Sequence, residues 1–216
     1  MTVAVLDGGC YYHHDIIYGE RFRHCFDRAI YAPDLTDGAL EGVKALIVAD
    51  RISPTILREK RRILHAFLQN GGTLIVLGEN QAHTWAPGVE WTFRPTNFWW
   101  WLDKDVDPGH RIVEPDHEIF RHVAPKDVIW HFHGLLHPPK GAVPLVTIAP
   151  EAGGGPDGTI LYDHRGIADG KGRLIVTTLD PFYHTGSYFM PAAQRFLTGL
   201  LDWTDAAFRN RKTLSP

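Results

Sequence analysis

The chain has 216 residues, of which 44% are hydrophobic and 22% are charged, and its formal net charge is −3 with neutral histidines. This length and composition predict one mid-sized globular domain over residues 1–216, with enough chain to bury a sizeable core. The charge excludes a strongly basic surface, so we expect a small-molecule ligand as the partner and neither nucleic acid nor a membrane.

The first third of the chain alternates strand and helix patterns. Continuous apolar runs predict buried strands at 2–7, 28–34, 44–50 and 73–79. A weak helix pattern covers 16–26, and a strong one covers 53–72, where Ser53 can cap the helix and Pro54 can take its first position. This alternation predicts a parallel sheet with right-handed crossovers.

The rest of the chain is less regular. Residues 85–125 are rich in aromatic and turn residues without a helical period, which predicts an insertion. Further strands are expected at 127–136, 142–150, 158–166 and 172–181, and a final amphipathic helix at 190–208. The glycine-rich segment 151–158 joins two strands and opens no helix, so we interpret it as a turn and not as a phosphate loop.

Two sequence blocks read IVAD…SPTILREKRRILHAFLQNGGTLIVLGE and YDHRGIADGKGRLIVTTLDPFYHTG, the second followed by the final helix. Together they resemble the class I glutamine amidotransferase-like superfamily, and within it the ThuA-like (trehalose-utilisation) branch. The similarity covers most of the chain outside roughly 85–125. It implies a flavodoxin-like three-layer α/β sandwich with a mostly parallel sheet, carrying the aromatic-rich insertion, and carbohydrate metabolism as the setting.

The chain departs from the resemblance where glutaminases carry their nucleophile. Their cysteine lies on a sharp turn that here reads Gly78-Glu79-Asn80-Gln81, and their His-Pro-Glu stretch is here Asp180-Pro181-Phe182-Tyr183-His184. Attack on an amide needs a thiolate beside a base and an oxyanion hole. We therefore expect a member of this fold without glutaminase activity.

Three polar segments directly follow predicted strands, at 7–15 (DGGCYYHHD), 78–83 and 180–186. If the sheet is parallel, these segments converge on the crevice at the carboxyl ends of the strands. The candidate set is Glu79 and His184 as catalytic residues, with Asp7, Gly8, Gly9, Cys10, Tyr11, His13, His14, Asn80, Asp180 and Tyr183 as ligand-binding residues. In the alternative interpretation Asp7 and Gly8 only cap the next helix, and the neighbouring aromatic residues pack locally.

Glu79 and His184 can form a proton-transferring pair, because a carboxylate near an imidazole tunes both groups. The alternative is that Glu79 caps a turn and His184 lies on the surface. Cys10 beside His13 is a further candidate nucleophile, although its place in the first loop does not match the superfamily. Two function classes follow: a hydrolase or isomerase acting on a sugar-like ligand, or a non-catalytic binding or assembly module with a vestigial pocket.

A metal site is a weaker alternative. His131 and His133 are two residues apart on a predicted strand and so share a face, with His137 nearby and further ligands available from His13 or His184. No cysteine or glutamate partner lies at diagnostic spacing. The sequence therefore predicts no metal or other cofactor.

The aromatic run Trp85, Trp91, Phe93, Phe98 and Trp99–Trp101 fits core packing, a sugar-binding surface or a subunit interface. In an extended triple tryptophan Trp100 points away from its neighbours, so we expect a homo-oligomer. Cys10 and Cys25 form no disulfide framework, and no apolar run is long enough for a membrane span or a signal peptide. These features predict a cytoplasmic protein.

Overall fold

A computed structural model describes residues 2–95, 98, 102, 105, 107–150 and 157–209. Within these residues the strands are β1 (Thr2–Asp7), β2 (Arg28–Tyr31), β3 (Val43–Val48), β4 (Thr73–Val76), β5 (Glu90–Thr92), β6 (His110–Ile112), β7 (Leu135–His137), β8 (Val143–Ile148), β9 (Gly158–Gly166) and β10 (Gly172–Thr177). The helices are α1 (Tyr11–Tyr18), α2 (Pro54–Gln69), α3 (Ile167–Gly170), α4 (Pro181–Gly186) and α5 (Pro191–Phe208), with short 3-10 turns between several elements.

The strands form one mixed sheet in the order β2-β1-β3-β4-β10-β9-β7-β5, and β8 pairs with β9 and β6. The strands from β2 to β10 along this order are parallel to their neighbours. The pairs that β9 makes with β10, β8 and β7 are antiparallel, as are β5 with β7 and β6 with β8. The predicted α/β sandwich is confirmed, and its sheet has a parallel half and an antiparallel half.

Helices cover both faces of the parallel half. Neighbouring residues of a strand point to opposite faces of the sheet. Gly172 and Arg173 of β10 therefore identify the helix that covers each face. Gly172 packs against the backbone of Leu68 in α2. On the other face the guanidinium of Arg173 lies 5.1 Å from the centre of the Trp203 ring in α5. The parallel strands between these layers are apolar and almost fully buried, as their continuous hydrophobic runs predicted.

The first helix differs from the expectation. It was predicted at 16–26 but forms at Tyr11–Tyr18, so most of the polar segment 7–15 is helical. The helix ends at Gly19, whose N–H donates to the Asp15 carbonyl while its backbone turns extended. Residues 8–10 alone remain as the loop after β1.

The predicted strand 127–136 is largely wrong. A 3-10 turn occupies Pro125–Val128, an irregular segment follows, and only Leu135–His137 pairs as β7. Gly134 has a φ of 78°, and a Cβ there would lie 2.3 Å from the Trp91 indole, so the backbone turns where the hydrophobic pattern continues. The histidines before β7 therefore lie on a turn and not on a strand.

The insertion is described in part. β5 pairs with β7 at the end of the sheet order, and β6 pairs with β8. Trp99–Trp101 and residues 151–156 lie outside the described residues, and the single-domain division with an insertion at 85–125 stays a prediction. Among the described helices, none combines the length and apolar character that crossing a membrane requires.

Candidate functional site

The candidate residues lie where the parallel strands end. β1, β3, β4 and β10 run in one direction, so their carboxyl ends share one edge of the sheet. Ligands of open parallel sheets bind in the crevice at that edge. Here it carries Asp50 and Arg51 after β3, Glu79 after β4 and Asp180 after β10.

Arg51 joins two of the carboxylates at this edge. Its Nε and Nη2 donate to Asp180 Oδ2 at 3.0 and 2.7 Å, and Nη2 lies 3.0 Å from Glu79 Oε2. The guanidinium also lies 3.9 Å from the centre of the Tyr183 ring. Arg51 has a φ of 59°, a strained backbone for a residue with a side chain and one that recurs at functional sites. The arginine therefore fixes both carboxylates and partly neutralises them.

His133 connects the same two carboxylates from another direction. Its Nδ1 lies 2.9 Å from Glu79 Oε1, and its Nε2 lies 3.2 Å from Asp180 Oδ1. The backbone of His133 is held on both sides, since its N–H donates to the Thr178 carbonyl at 3.2 Å and its carbonyl accepts from the Trp91 indole at 2.8 Å. The turn before β7 thus brings an imidazole to the end of β10.

Two more imidazoles complete the cluster. Nε2 of His184, in α4, lies 3.1 Å from Asp180 Oδ1. The His131 ring centre lies 4.4 Å from that of His184 and 5.5 Å from that of His133. Asp180, His184 and His131 are only 0%, 3% and 7% exposed. Three imidazoles therefore surround one carboxylate in a site largely shielded from water.

The protonation states of the cluster differ between its members. Burial opposes charge on His133, but the Asp180 and Glu79 carboxylates outweigh burial and raise its pKa to about 9. Burial and the neighbouring His184 lower the pKa of His131 to about 4. Contact with His133 lowers the pKa of Glu79. At neutral pH His133 is therefore an imidazolium, His131 is neutral and Glu79 is a carboxylate.

Asp180 is the buried anion of the cluster. Burial opposes its ionisation, but the His133 and His184 imidazoles outweigh burial and hold the pKa of Asp180 well below its usual range. The Arg51 guanidinium on its other oxygen adds to this stabilisation. Asp180 therefore stays charged although it has no exposed surface.

Asp50 fixes the start of α4, the helix that carries His184 and directly follows Asp180. Its two carboxylate oxygens accept the N–H groups of Phe182 at 2.6 Å and Tyr183 at 3.1 Å, at the start of α4. Burial and the negative charge of Asp180 raise the pKa of Asp50 well above its usual range. Asp50 caps the helix N-terminus and so orients Asp180 and His184, which lie four residues apart.

A cavity of about 810 Å³ opens beside the cluster. Its polar end includes Arg51, Glu79 and His133. The lining also includes the aromatic residues Trp91, Phe93, Phe98 and Phe132, together with Arg94. A mostly apolar cavity with a few convergent charged groups is typical of a small-molecule site.

The two predicted catalytic residues, Glu79 and His184, lie in one cluster, where they are linked through His133 and Asp180. Glu79 contacts His133, and His184 contacts Asp180, which also contacts His133. His184 is buried, so the alternative of a surface histidine is wrong. The catalytic roles of Glu79 and His184 stay predictions.

Most predicted ligand-binding residues of the first segment lie away from the cavity. Asp7 accepts from the Gly9 N–H at 2.7 Å and from the Tyr18 hydroxyl at 3.1 Å. His13 accepts the Gly8 N–H on Nδ1 at 2.9 Å, and its Nε2 lies 2.7 Å from the Asp50 carbonyl.

The other members of that segment contact α1 and α4. The Tyr11 hydroxyl lies 2.8 Å from Ser187 Oγ, His14 packs on Tyr18, and Cys10 precedes α1 with a free thiol. Among the described residues, none from 7–15 lines the cavity. The segment thus meets the same edge of the sheet but packs beside α4, and its ligand-binding role stays a prediction.

The two remaining predicted ligand-binding residues are Asn80 and Tyr183. Asn80 is buried, and its side chain donates to the Leu77 carbonyl at 2.8 Å, so it holds the turn after β4. Tyr183 packs under the Arg51 guanidinium and against the His184 ring. Neither side chain is among the described residues that line the cavity.

Sequence reasoning missed Asp50 and Arg51. Asp50 is the last residue of the predicted strand KALIVAD and Arg51 follows it, so the rule that selected the ends of β1, β4 and β10 would also have selected them. Sequence reasoning named His131 and His133 only as ligands of the weaker metal-site alternative. That alternative also named His13 and His184 as further ligands, and the structure brings in His184 but leaves both His13 nitrogens in contacts elsewhere.

No family model matches the sequence, and no curated protein matches it. Among solved structures, a GMP synthase-like protein from Thermoplasma acidophilum is similar to this chain with a TM-score of 0.58 at 12% identity, over 96% of this chain and 94% of that one. The mmIFT52 N-terminal domain gives a TM-score of 0.53 at 16% identity, over 94% and 95% of the two chains. A ThuA-like protein from Bacteroides uniformis gives 0.49 at 10% identity, over 93% and 89%. The first of these similarities supports the amidotransferase-like fold.

Proposed function

We propose that this chain binds a small polar, carbohydrate-derived ligand in the cavity at the strand ends and acts on it as a hydrolase or isomerase, without glutaminase chemistry. The observation that carries the proposal is the row Glu79–His133–Asp180, whose first two members line an 810 Å³ cavity together with four aromatic residues. A carboxylate and an imidazolium whose pKa values are shifted apart by their surroundings are typical of an acid–base pair.

The cavity wall supports a sugar-like ligand. Trp91, Phe93 and Phe98 present flat aromatic rings, and the Trp91 ring is itself stacked on His83 at a 10° interplanar angle. Such faces can pack on the C–H groups of a sugar ring, while Glu79 and Arg51 at the other end can hydrogen-bond its hydroxyls.

The acid–base pair can run one balanced hydrolytic cycle. Glu79 takes a proton from water as the water oxygen bonds to the electrophilic carbon of the ligand. His133 gives a proton to the leaving oxygen as that oxygen separates from the carbon. The proton on Glu79 then passes to His133 across their 2.9 Å contact, which restores both groups. In an isomerisation the same pair removes a proton at one ligand atom and returns one at its neighbour.

Glutaminase chemistry is left out of the proposal because the turn after β4 carries Glu79 in place of a nucleophilic cysteine. Cys10 and Cys25 are absent from the described lining of the cavity. The ThuA-like branch, a role in carbohydrate metabolism and a cytoplasmic location belong to the same proposal. They are supported by the sequence resemblance and by the composition of the chain.

The substitution Glu79→Gln separates catalysis from binding. It removes the base but keeps the shape of the side chain, so we expect turnover to fall by at least about 100-fold while binding changes little. Hydrolysis of a panel of disaccharides that includes trehalose measures the first effect, and the change in intrinsic tryptophan fluorescence on addition of the same sugars measures the second. Glu90→Gln, an exposed change on β5 away from the cluster, is the matched control.

Two results would contradict this proposal. If Glu79→Gln keeps the turnover of the unchanged protein, Glu79 is not the base. If sugars bind equally well to both proteins and neither shows turnover, the chain is the non-catalytic binding module of the alternative interpretation.

A further inference from the structure

Four side chains, of which His133 alone is among the described lining residues of the cavity, offer a ligand set that the proposed acid–base pair does not use fully. One ligand atom from each of His131, His133, Asp180 and His184 lies within 4.8 Å of every other. They come from the turn before β7 and from the β10–α4 junction. Their convergence is thus a product of the fold and not of neighbouring sequence.

The contacts inside this set are close but are not hydrogen bonds. Asp180 Oδ1 lies 3.2 Å from His133 Nε2 and 3.1 Å from His184 Nε2. Within the described part of the chain, none of these three buried atoms has a hydrogen-bond partner of acceptable geometry, and neither does His184 Nδ1. Buried polar atoms are rarely left without a hydrogen bond, because each has lost its bonds to water.

A cation among the four side chains removes that cost. The lone pairs of the imidazole nitrogens and the carboxylate oxygen then point to one centre instead of meeting each other. Ligand atoms about 2.1 Å from one ion lie roughly 3.4 Å apart in tetrahedral geometry, close to the contacts of Asp180. The widest separation, 4.8 Å, must shorten, so the site closes slightly around the ion.

The surroundings of the four side chains also fit an ion. Glu79 Oε1 lies 2.9 Å from Nδ1 of His133, which leaves Nε2 facing Asp180. Arg51 donates twice to Oδ2 of Asp180 and leaves Oδ1 free to face the cluster. Carboxylates behind imidazole ligands and donors behind carboxylate ligands are the usual outer contacts of metal sites.

We propose that His131, His133, Asp180 and His184 form a binding site for a divalent transition-metal ion of the zinc type. Three imidazoles and one carboxylate suit Zn²⁺ and its first-row neighbours, whereas Mg²⁺ and Ca²⁺ prefer sites made of oxygen atoms. The role of the ion in turnover rests on the proposed function: an ion that takes a water molecule as a fifth ligand would lower the pKa of that water for Glu79 to deprotonate, and the bound ion would replace the His133 proton in stabilising the leaving oxygen. Binding of the ion does not depend on that function.

The test uses the full chain purified without a histidine tag and stripped with a chelator. Titration calorimetry with Zn²⁺ is expected to give one equivalent per chain, and Zn²⁺ is expected to raise the melting temperature. His184→Gln and His131→Gln are each expected to weaken Zn²⁺ binding at least 10-fold, the size of effect that even an outer contact of a metal ligand shows. His122→Gln, an exposed histidine outside the cluster, is the matched control and is expected to bind like the unchanged chain.

A second measurement covers the case in which a variant fails to fold. Co²⁺ added to the stripped, unchanged chain is expected to produce a visible absorption band that one equivalent of Zn²⁺ removes. No binding of either ion to the folded chain would overturn the proposal, and so would unaltered Zn²⁺ binding in both cluster variants. Zinc binding without sugar binding would refute only the proposed function, and sugar turnover in the fully stripped chain would refute only the catalytic role of the ion.

Discussion

At the scale of single residues, Gly78 decides whether the site can form. It lies two residues after β4 with a φ of 56°, and a Cβ on it would stand 2.6 Å from the Cβ atoms of both Asp50 and Asp180. Only glycine lets the two carboxylates approach the turn from both sides without a clash. The same position starts the turn that presents Glu79.

Gly78→Ala is expected to lower the free energy of unfolding by about 3 kcal/mol, because it adds both a steric clash and an unfavourable backbone angle. Urea denaturation measures the change. Gly38→Ala is the control, since a Cβ at Gly38 meets nothing within 4 Å and we expect a change within about 0.5 kcal/mol. Equal stability of both variants would show that the crowding around Gly78 is not real.

At the scale of elements, a buried ion-pair cluster fastens β9 to β10. Arg173 donates to both oxygens of Asp163 at 2.9 and 2.7 Å and to Glu118 at 2.8 Å, and His117 Nε2 lies 3.1 Å from Asp163. Burial opposes ionisation of Asp163, but His117 and Arg173 outweigh burial and hold its pKa below the usual range. This cluster lies where the parallel half of the sheet meets the antiparallel half.

Asp163→Asn is expected to cost about 3 kcal/mol at pH 7, because it leaves a largely buried guanidinium with half of its partners. The folded pKa of Asp163 is depressed, so its contribution is complete above about pH 5 and is lost as the pH falls below about 4. Denaturation between pH 7 and pH 3 should show the difference between the two proteins shrinking as the pH falls. Asp37→Asn, which breaks an exposed pair with Arg62, is the control and should cost less than about 1 kcal/mol. A difference that stays constant with pH would contradict the account.

The helices and strands also show how much of the fold could be predicted from the sequence. Continuous apolar runs predicted β1, β3 and β4 because these strands are buried on both faces, and helical spacing with Pro54 and the glycine pair predicted α2. The pattern failed at 127–136, where apolar residues bury their side chains from a turn instead of a strand. An apolar run predicts that its residues are buried. It also predicts their backbone geometry only where they form a regular helix or strand.

The site was predictable in part for the same reason. The rule that polar residues follow parallel strands found Glu79, Asp180 and His184. It could not show that His131 and His133 reach the same place, because β7 pairs with β9, which is distant from β4 in the sequence. Nor could it show that His13 contacts the backbone of Asp50 instead of facing a ligand. Both facts depend on tertiary contacts that one sequence does not encode locally.

At the scale of the whole molecule, the association of chains stays a prediction. Several aromatic side chains are exposed in the described residues, among them Tyr188 at 78% and Phe93 at 69%. Trp99–Trp101, on which the expectation of a homo-oligomer rests, lie outside the described residues. We expect sedimentation velocity to show a concentration-dependent oligomer, and Trp100→Ser to weaken it. A clean monomer at high protein concentration would refute the expectation.

In our proposal, the fold brings the turn before β7 and the β10–α4 junction together at one ion-binding point. Anomalous diffraction at the zinc absorption edge, from crystals of the stripped chain soaked in Zn²⁺, tests this most directly. We predict one strong peak bounded by His131, His133, Asp180 and His184. A map with no peak there, or with zinc only at surface histidines, would contradict the account.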